Sequence, residues 1–255
     1  MNFKPVIYEK IFKSKGKKLA VLIDPGKQSL NDLRIRAELA RKSGADFFLV
    51  GGSMISENID DTVSVVKESS GLPVILFPGS MYQLSAKADA VLLLSLISGR
   101  NPDFLIGNQV IAAPFLKKSG LEVISAGYML IDGGSRTSVE YISNTVPIPA
   151  DKPDIASATA LAGEMLGLSL IYLEAGSGAR YPVRENIVKS VRESISIPLI
   201  AGGGIKDVSV VESLCESGAD IIVTGTAFEK DAGLIKAFSD TVHSFQASKS
   251  KSKFS

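Results

Sequence analysis

The chain has 255 residues, 45% of them hydrophobic, with 28 basic side chains against 27 acidic and a formal net charge of +1. That balance lacks the basic stripe of a nucleic-acid surface, so nucleic acid is not an expected partner. No apolar run reaches the roughly 18 uninterrupted residues of a membrane span, the polar, lysine-rich first 18 residues carry no secretory signal, and a lone cysteine, Cys215, forms no intramolecular disulfide and suits a buried place in a cytoplasmic protein.

Apolar runs alternate with amphipathic segments from end to end, the pattern of a parallel sheet covered by helices. In chain order the spacing predicts a strand at 19–23, a helix at 31–43, a strand at 47–50, a helix at 60–70 and a strand at 74–77. The next connection, 79–88, is too short for a full helix, and it is followed by a strand at 90–95, a helix at 102–118 and a strand at 121–130. Residues 132–153 show no clear periodicity and are read as a lid or oligomer contact. A helix at 154–166, a strand at 168–174, a helix at 184–194, a strand at 198–201, a helix at 207–217, a strand at 221–224 and a helix at 228–245 complete the series. Eight alternations predict an α/β fold, a closed (β/α)8 or TIM barrel with one shortened or missing helix after strand three. One domain is expected over 1–246, and the Lys/Ser alternation of 247–255 predicts a disordered tail.

Three glycine-rich patches sit where late strands end and helices begin: Tyr172-Leu173-Glu174-Ala175-Gly176-Ser177-Gly178, Ala201-Gly202-Gly203-Gly204 and Thr224-Gly225-Thr226. Glycine lets backbone approach an anion closely, and helix N-terminal N–H groups supply donors and partial positive charge. In this barrel class the loops after the last two strands are the usual phosphate site.

Asp24 ends the first strand in Leu22-Ile23-Asp24-Pro25-Gly26-Lys27, where a carboxylate would point into the barrel mouth, although Asp-Pro-Gly is also good turn material. Ser53, in Val50-Gly51-Gly52-Ser53, would stand beside it on the neighbouring strand, as a metal contact or as a helix N-cap. A carboxylate with one hydroxyl or carbonyl is a partial magnesium site of the kind that substrate phosphates and water complete. Glu174 beside the glycines is costly unless it meets a hydroxyl, a metal or a basic group, which points to a base or an orienting group. Asp132, at the end of strand five, could pair with Asp24 as acid and base. His243 is expected on the surface, and no Ser-His-Asp triad or Cys/His metal cluster is available.

Together these blocks resemble the geranylgeranylglyceryl phosphate synthase family, the PcrB-like prenyltransferases. The Leu22 to Lys27 string resembles the family's first-strand metal motif and Val50 to Ser53 its second metal contact. Arg100-Asn101-Pro102-Asp103-Phe104-Leu105-Ile106-Gly107-Asn108-Gln109 resembles its fourth block, with Phe104 where many members carry Trp. Tyr172 to Gly178 with Gly203, Gly204, Gly225 and Thr226 resembles the glycerol-phosphate site, with Thr226 where many carry Asn. The resemblance implies transfer of a polyprenyl group, geranylgeranyl by expectation, from its diphosphate to the C3 hydroxyl of sn-glycerol 1-phosphate, giving an ether-lipid precursor and diphosphate. It implies Mg2+ at Asp24 and Ser53, and Glu174 and Tyr172 as catalytic groups. Tyr172, Leu173, Glu174, Ala175, Gly176, Ser177, Gly178, Gly203, Gly204, Gly225 and Thr226 are the implied acceptor site. It also implies a cytoplasmic homo-oligomer of two or six subunits, with peripheral membrane contact through its lipid substrates. The alternative is a phosphoribosyl isomerase-like sugar-phosphate barrel working through Asp24 and Asp132; a noncatalytic phosphate-binding barrel is a third reading.

Overall fold

Strand-to-strand hydrogen bonding closes on itself in a computed structural model that describes residues 6–26, 28–53, 58–225 and 233–245. Eight parallel strands follow one another around the ring: β1 (Lys18–Ile23), β2 (Phe47–Val50), β3 (Val74–Leu76), β4 (Ala90–Leu96), β5 (Glu122–Leu130), β6 (Leu170–Glu174), β7 (Leu199–Gly202) and β8 (Ile221–Thr224), with β8 paired back to β1. The outer helices are α1 (Leu30–Lys42), α2 (Ile59–Ser70), α3 (Asn108–Ser119), α5 (Pro153–Met165), α6 (Glu185–Ser194), α7 (Val208–Glu216) and α8 (Leu234–Ser244), with a short α4 (Ser138–Ser143) between β5 and α5. The expected TIM barrel is therefore present. The expected gap after β3 is present too: a single 3-10 turn, Met81–Gln83, stands in place of a helix.

Side chains alternate along each strand. Ala20, Phe47, Leu49, Leu170, Tyr172, Ile200, Ile221 and Val223 fill the barrel interior, whereas Leu19, Val21, Phe48, Val50, Ile171, Leu173 and Ile222 pack against the helices. This two-residue period decides which strand-end residues can reach the mouth. Asp24 shares the parity of Ala20, and Glu174 shares that of Tyr172.

Four features go beyond the sequence expectations or differ from them. The first 18 residues carry a π-helical turn, Tyr8–Phe12, that plugs the bottom of the barrel. Phe12 stacks edge-on to Phe47 with ring centroids 5.8 Å apart, and the Glu122 carboxylate accepts the N–H groups of Ile7 and Tyr8, each at 2.7 Å, which are otherwise unpaired at a helix start. The helix expected at 102–118 begins as a separate π-helical turn, Asp103–Gly107, before α3. Residues 132–153 are ordered by α4 and by the bridge between Ile131 and Ile148. His243 is half-buried at the barrel bottom, its Nε2 2.9 Å from Asp46 Oδ2, because α8 runs antiparallel to the strands and brings its end to the start of β2. Cys215 is buried, and burial pushes its thiol up to about 11. Residues 247–255 lie outside the described residues.

Candidate active site

At the C-terminal end of the strands an open cavity of about 860 Å³ is lined by Asp24, Ser53, Tyr172, Glu174, Ser177, Gly178, Gly203, Gly204 and Gly225, together with Phe77, Tyr128 and Lys206. Sequence positions more than 200 apart thus meet, because every strand delivers its C-terminal residue to the same face. Thr226 and Lys27 fall outside the described residues. Leu173 and Ala175 do not present side chains to the cavity; both belong to the helix-facing layer, since each lies one residue out of phase with Glu174. Asp132 does not line the cavity either. It is exposed, and its carboxylate accepts the Gly134 N–H at 2.8 Å, so the structure does not assemble the Asp24–Asp132 pair of the isomerase reading.

Glu174 is the electrostatic centre. It is 5% exposed, and its Oε1 accepts the Gly176 N–H at 2.6 Å. Burial pushes its carboxyl from the usual 4.5 to about 7, against the opposing pull of the Gly176 N–H and the nearby Tyr172 hydroxyl. That hydroxyl makes no hydrogen bond of normal geometry with a protein atom although it is fully buried. Its near neighbour is the Glu174 carboxylate, and Tyr172 lines the cavity, where a ligand hydroxyl would complete its hydrogen bonding. Burial and the carboxylate raise the Tyr172 and Tyr128 hydroxyls well above 10, so both remain protonated.

The glycines beside Glu174 are sterically required. Gly203 has φ +81°, and a side chain there would press on Glu174 Oε1 and on the Gly176 nitrogen, 2.6 Å away. Gly204, at φ +68°, would drive a Cβ to 2.7 Å from the Tyr181 carbonyl oxygen. Both glycines line the mouth, and glycine turns of this kind are suited to offering backbone N–H groups to an anion.

Asp24 and the end of β2 are as closely matched. A Cβ at Gly52 would lie 2.6 Å from Asp24 Oδ1, so only glycine lets the carboxylate lie against that loop. Among the described residues no three His, Cys, Asp or Glu side chains converge. One carboxylate with the Ser53 hydroxyl is a donor set that fits Mg2+ bound partly through substrate phosphates.

Three groups here are invisible to motif reading. Gln83, on the short turn after β3, is 2% exposed and locks this loop: its Oε1 accepts Gly79 N–H at 3.0 Å and Gly52 N–H at 3.2 Å, and its Nε2 donates to the Gly52 oxygen at 2.7 Å. Tyr128 faces inward opposite Tyr172 in the β5–β6 register. With Phe77 these rings form a cluster at centroid distances of 5.2 to 5.6 Å. The register signal was available, since Tyr128 has the inward parity of Ala126 and Leu130. Lys206, two residues past Gly204, has no such signal.

An apolar groove of about 830 Å³ opens from the mouth and shares Ser53, Phe77, Tyr128 and Val139 with it. It runs where the β3–β4 helix is missing, between Leu84, Val91 and Leu93 on one side and Phe104, Gln109, Ala112 and Ile142 on the other. The Arg100 to Gln109 block builds this wall. Phe104 lines the groove, Gln109 Nε2 donates to the Leu94 carbonyl and, at 3.3 Å, to that of Phe104, and Asn101 Nδ2 donates to the Ser143 carbonyl at 2.8 Å, tying the wall to α4.

A sequence model of the PcrB family matches residues 10–242. The chain is 52% identical over 233 residues to a geranylgeranylglyceryl phosphate synthase of Chitinophaga pinensis, covering 91% of this chain and 92% of that one. It is 48% identical over 239 residues to the protein of the same name from Spirosoma linguale, covering 93% and 96%. Its fold superposes on the crystal structure of (S)-3-O-geranylgeranylglyceryl phosphate synthase from Thermoplasma acidophilum in complex with sn-glycerol-1-phosphate with a TM-score of 0.88 at 34% identity, covering 96% of this chain and all of that one.

Proposed function

The chain belongs to the PcrB family, and on that premise we propose that it transfers a polyprenyl group, geranylgeranyl by preference, from its diphosphate to the C3 hydroxyl of sn-glycerol 1-phosphate. The observation that carries this reading is the junction of the two cavities. A mouth that gathers Asp24, Glu174 and Lys206 with a glycine rim, and holds a carboxyl titrating near 7, opens directly into an apolar groove. A sugar-phosphate isomerase has no use for the groove.

In this account the N–H groups of Gly203, Gly204 and Gly225, with the Ser177 and Gly178 turn, hold the acceptor phosphate. Tyr172 and Glu174 then receive the glycerol end. Glu174 accepts the C3 hydroxyl proton as the oxygen bonds to C1 of the prenyl group and the C1–O bond to diphosphate breaks. The groove aligns the chain so that this carbon lies at the mouth, and most of the acceleration is positional. Phe77, Tyr128 and Tyr172 surround the point where positive charge develops on the allylic carbon, and their π faces favour it. Asp24 and Ser53 would hold Mg2+, which when bound neutralises charge on the departing diphosphate.

No helix among the described residues is long and apolar enough to cross a membrane, and a cytoplasmic enzyme meeting its lipid donor at a bilayer surface accords with that. Assembly into a homo-oligomer would cover the exposed Ile106, Val110, Ile111 and Phe115 on and beside α3.

The test is product formation from sn-glycerol 1-phosphate with C15, C20 and C35 diphosphates, each with Mg2+ and with EDTA. A metal-dependent ether product made fastest with the C20 donor is expected. Failure with every donor would overturn the reading.

A further inference from the structure

The acceptor in the proposed reaction carries a phosphate monoester, a dianion near neutral pH, and it enters a mouth that already holds the Glu174 carboxyl. Glycine N–H groups offer only partial charge. Among the described residues lining the mouth, one side chain is a formal cation, Lys206. It follows Gly203-Gly204-Ile205 on the loop after β7, and its Nζ donates to the carbonyl oxygens of Ala179 at 3.3 Å and Arg180 at 3.5 Å on the loop after β6. The ammonium therefore bridges the two glycine turns that form the phosphate rim. Both contacts are long and go to neutral oxygens, whereas an ammonium has three donors and favours an anion.

Lys206 plays no part in holding Glu174, whose carboxyl is governed by burial, the Gly176 N–H and the Tyr172 hydroxyl. Glu174 marks the part of the mouth where the acceptor hydroxyl reacts. The acceptor's phosphate is three carbons from that hydroxyl, and Lys206 is exposed beside the glycine rim.

Resting on the function proposed above, we infer that Lys206 is a binding residue for the acceptor phosphate, its ammonium supplying the formal charge that the glycine turns lack and setting the preference for a phosphate monoester over free glycerol. A purely structural lysine would tie the two loops together and nothing more. The distinction is measurable.

Lys206→Met and Lys206→Arg are assayed for the KM of both substrates. A charge-assisted hydrogen bond lost from the acceptor should raise its KM about tenfold or more, with the KM of the C20 donor unchanged and most of the loss restored by Arg. Added NaCl should raise the acceptor KM of the unmutated protein more steeply than that of Lys206→Met. An unchanged acceptor KM in Lys206→Met overturns the inference. So does a raised donor KM instead, which would place the ammonium on the diphosphate. Calorimetric titration with inorganic phosphate separates this from failure of the proposed function. Even with no product formed, weaker phosphate binding by Lys206→Met supports the inference, and equal binding refutes it.

Discussion

Replacing Glu174 by Gln should make the protein more stable and less active, with both effects controlled by pH. The carboxyl is 5% exposed and titrates at about 7 in the fold, against 4.5 in solvent. The folded state thus favours the protonated form. The resulting stability is fully present below about pH 4.5 and is lost as pH rises through 7; above that, keeping the group ionised costs about 3 kcal/mol, at 1.36 kcal/mol per pH unit of displacement. Gln is neutral at every pH and keeps an oxygen for the Gly176 N–H. At pH 8 the Glu174→Gln protein should melt about 5 to 10 °C higher than its parent for a chain of this size, and at pH 5 the gap should shrink to about 2 °C. Activity should move the other way: kcat/KM of the parent rises with pH through about 7 as the base ionises, and Glu174→Gln loses turnover at least a hundredfold while still binding the acceptor. Calorimetric melting across pH 5 to 8, paired with the pH–rate profile, measures both. Parallel melting curves for the two proteins across that range would refute the buried-base argument.

Asp24→Asn keeps the shape packed against Gly52 and should leave the melting temperature intact while Mg2+-dependent turnover drops about a hundredfold or more; undiminished activity sinks the metal assignment. Gly203→Ala forces an Ala to φ +81° and pushes its Cβ onto Glu174 and the Gly176 nitrogen. It should cost about 1–3 kcal/mol in unfolding experiments and also raise the acceptor KM, and an unaffected KM would show that the turn does not hold the phosphate. Ala112→Phe narrows the groove at a buried α3 position away from the mouth. It should cut kcat/KM for the C20 donor roughly tenfold relative to C15; an unchanged ratio would mean the chain does not pass this helix.

The barrel was legible because each strand is a short apolar run set apart by helical periodicity, and the count of eight left one closed topology. Asp24 and Glu174 were legible because each terminates such a run, and strand ends face the mouth. Leu173 and Ala175 show the limit of motif reading: a contiguous string was carried over whole, yet the two-residue strand period turns alternate side chains away. Gln83 and Lys206 act from loops, where neither periodicity nor strand-end position marks a residue. The groove depended on an absence, the missing helix after β3, and its walls come from the loop after β3, β4, α3 and α4, whose convergence only tertiary structure supplies.

The proposed transfer requires the two substrates to meet where the mouth opens into the groove. A crystal structure with sn-glycerol 1-phosphate and an unreactive C20 thiolodiphosphate bound together measures this directly. It should place the C3 hydroxyl within hydrogen-bond reach of Glu174, about 3 Å, and the prenyl chain between Leu84 and Ala112. A chain lying outside that groove, or an acceptor hydroxyl directed at Asp132 rather than Glu174, would contradict the account.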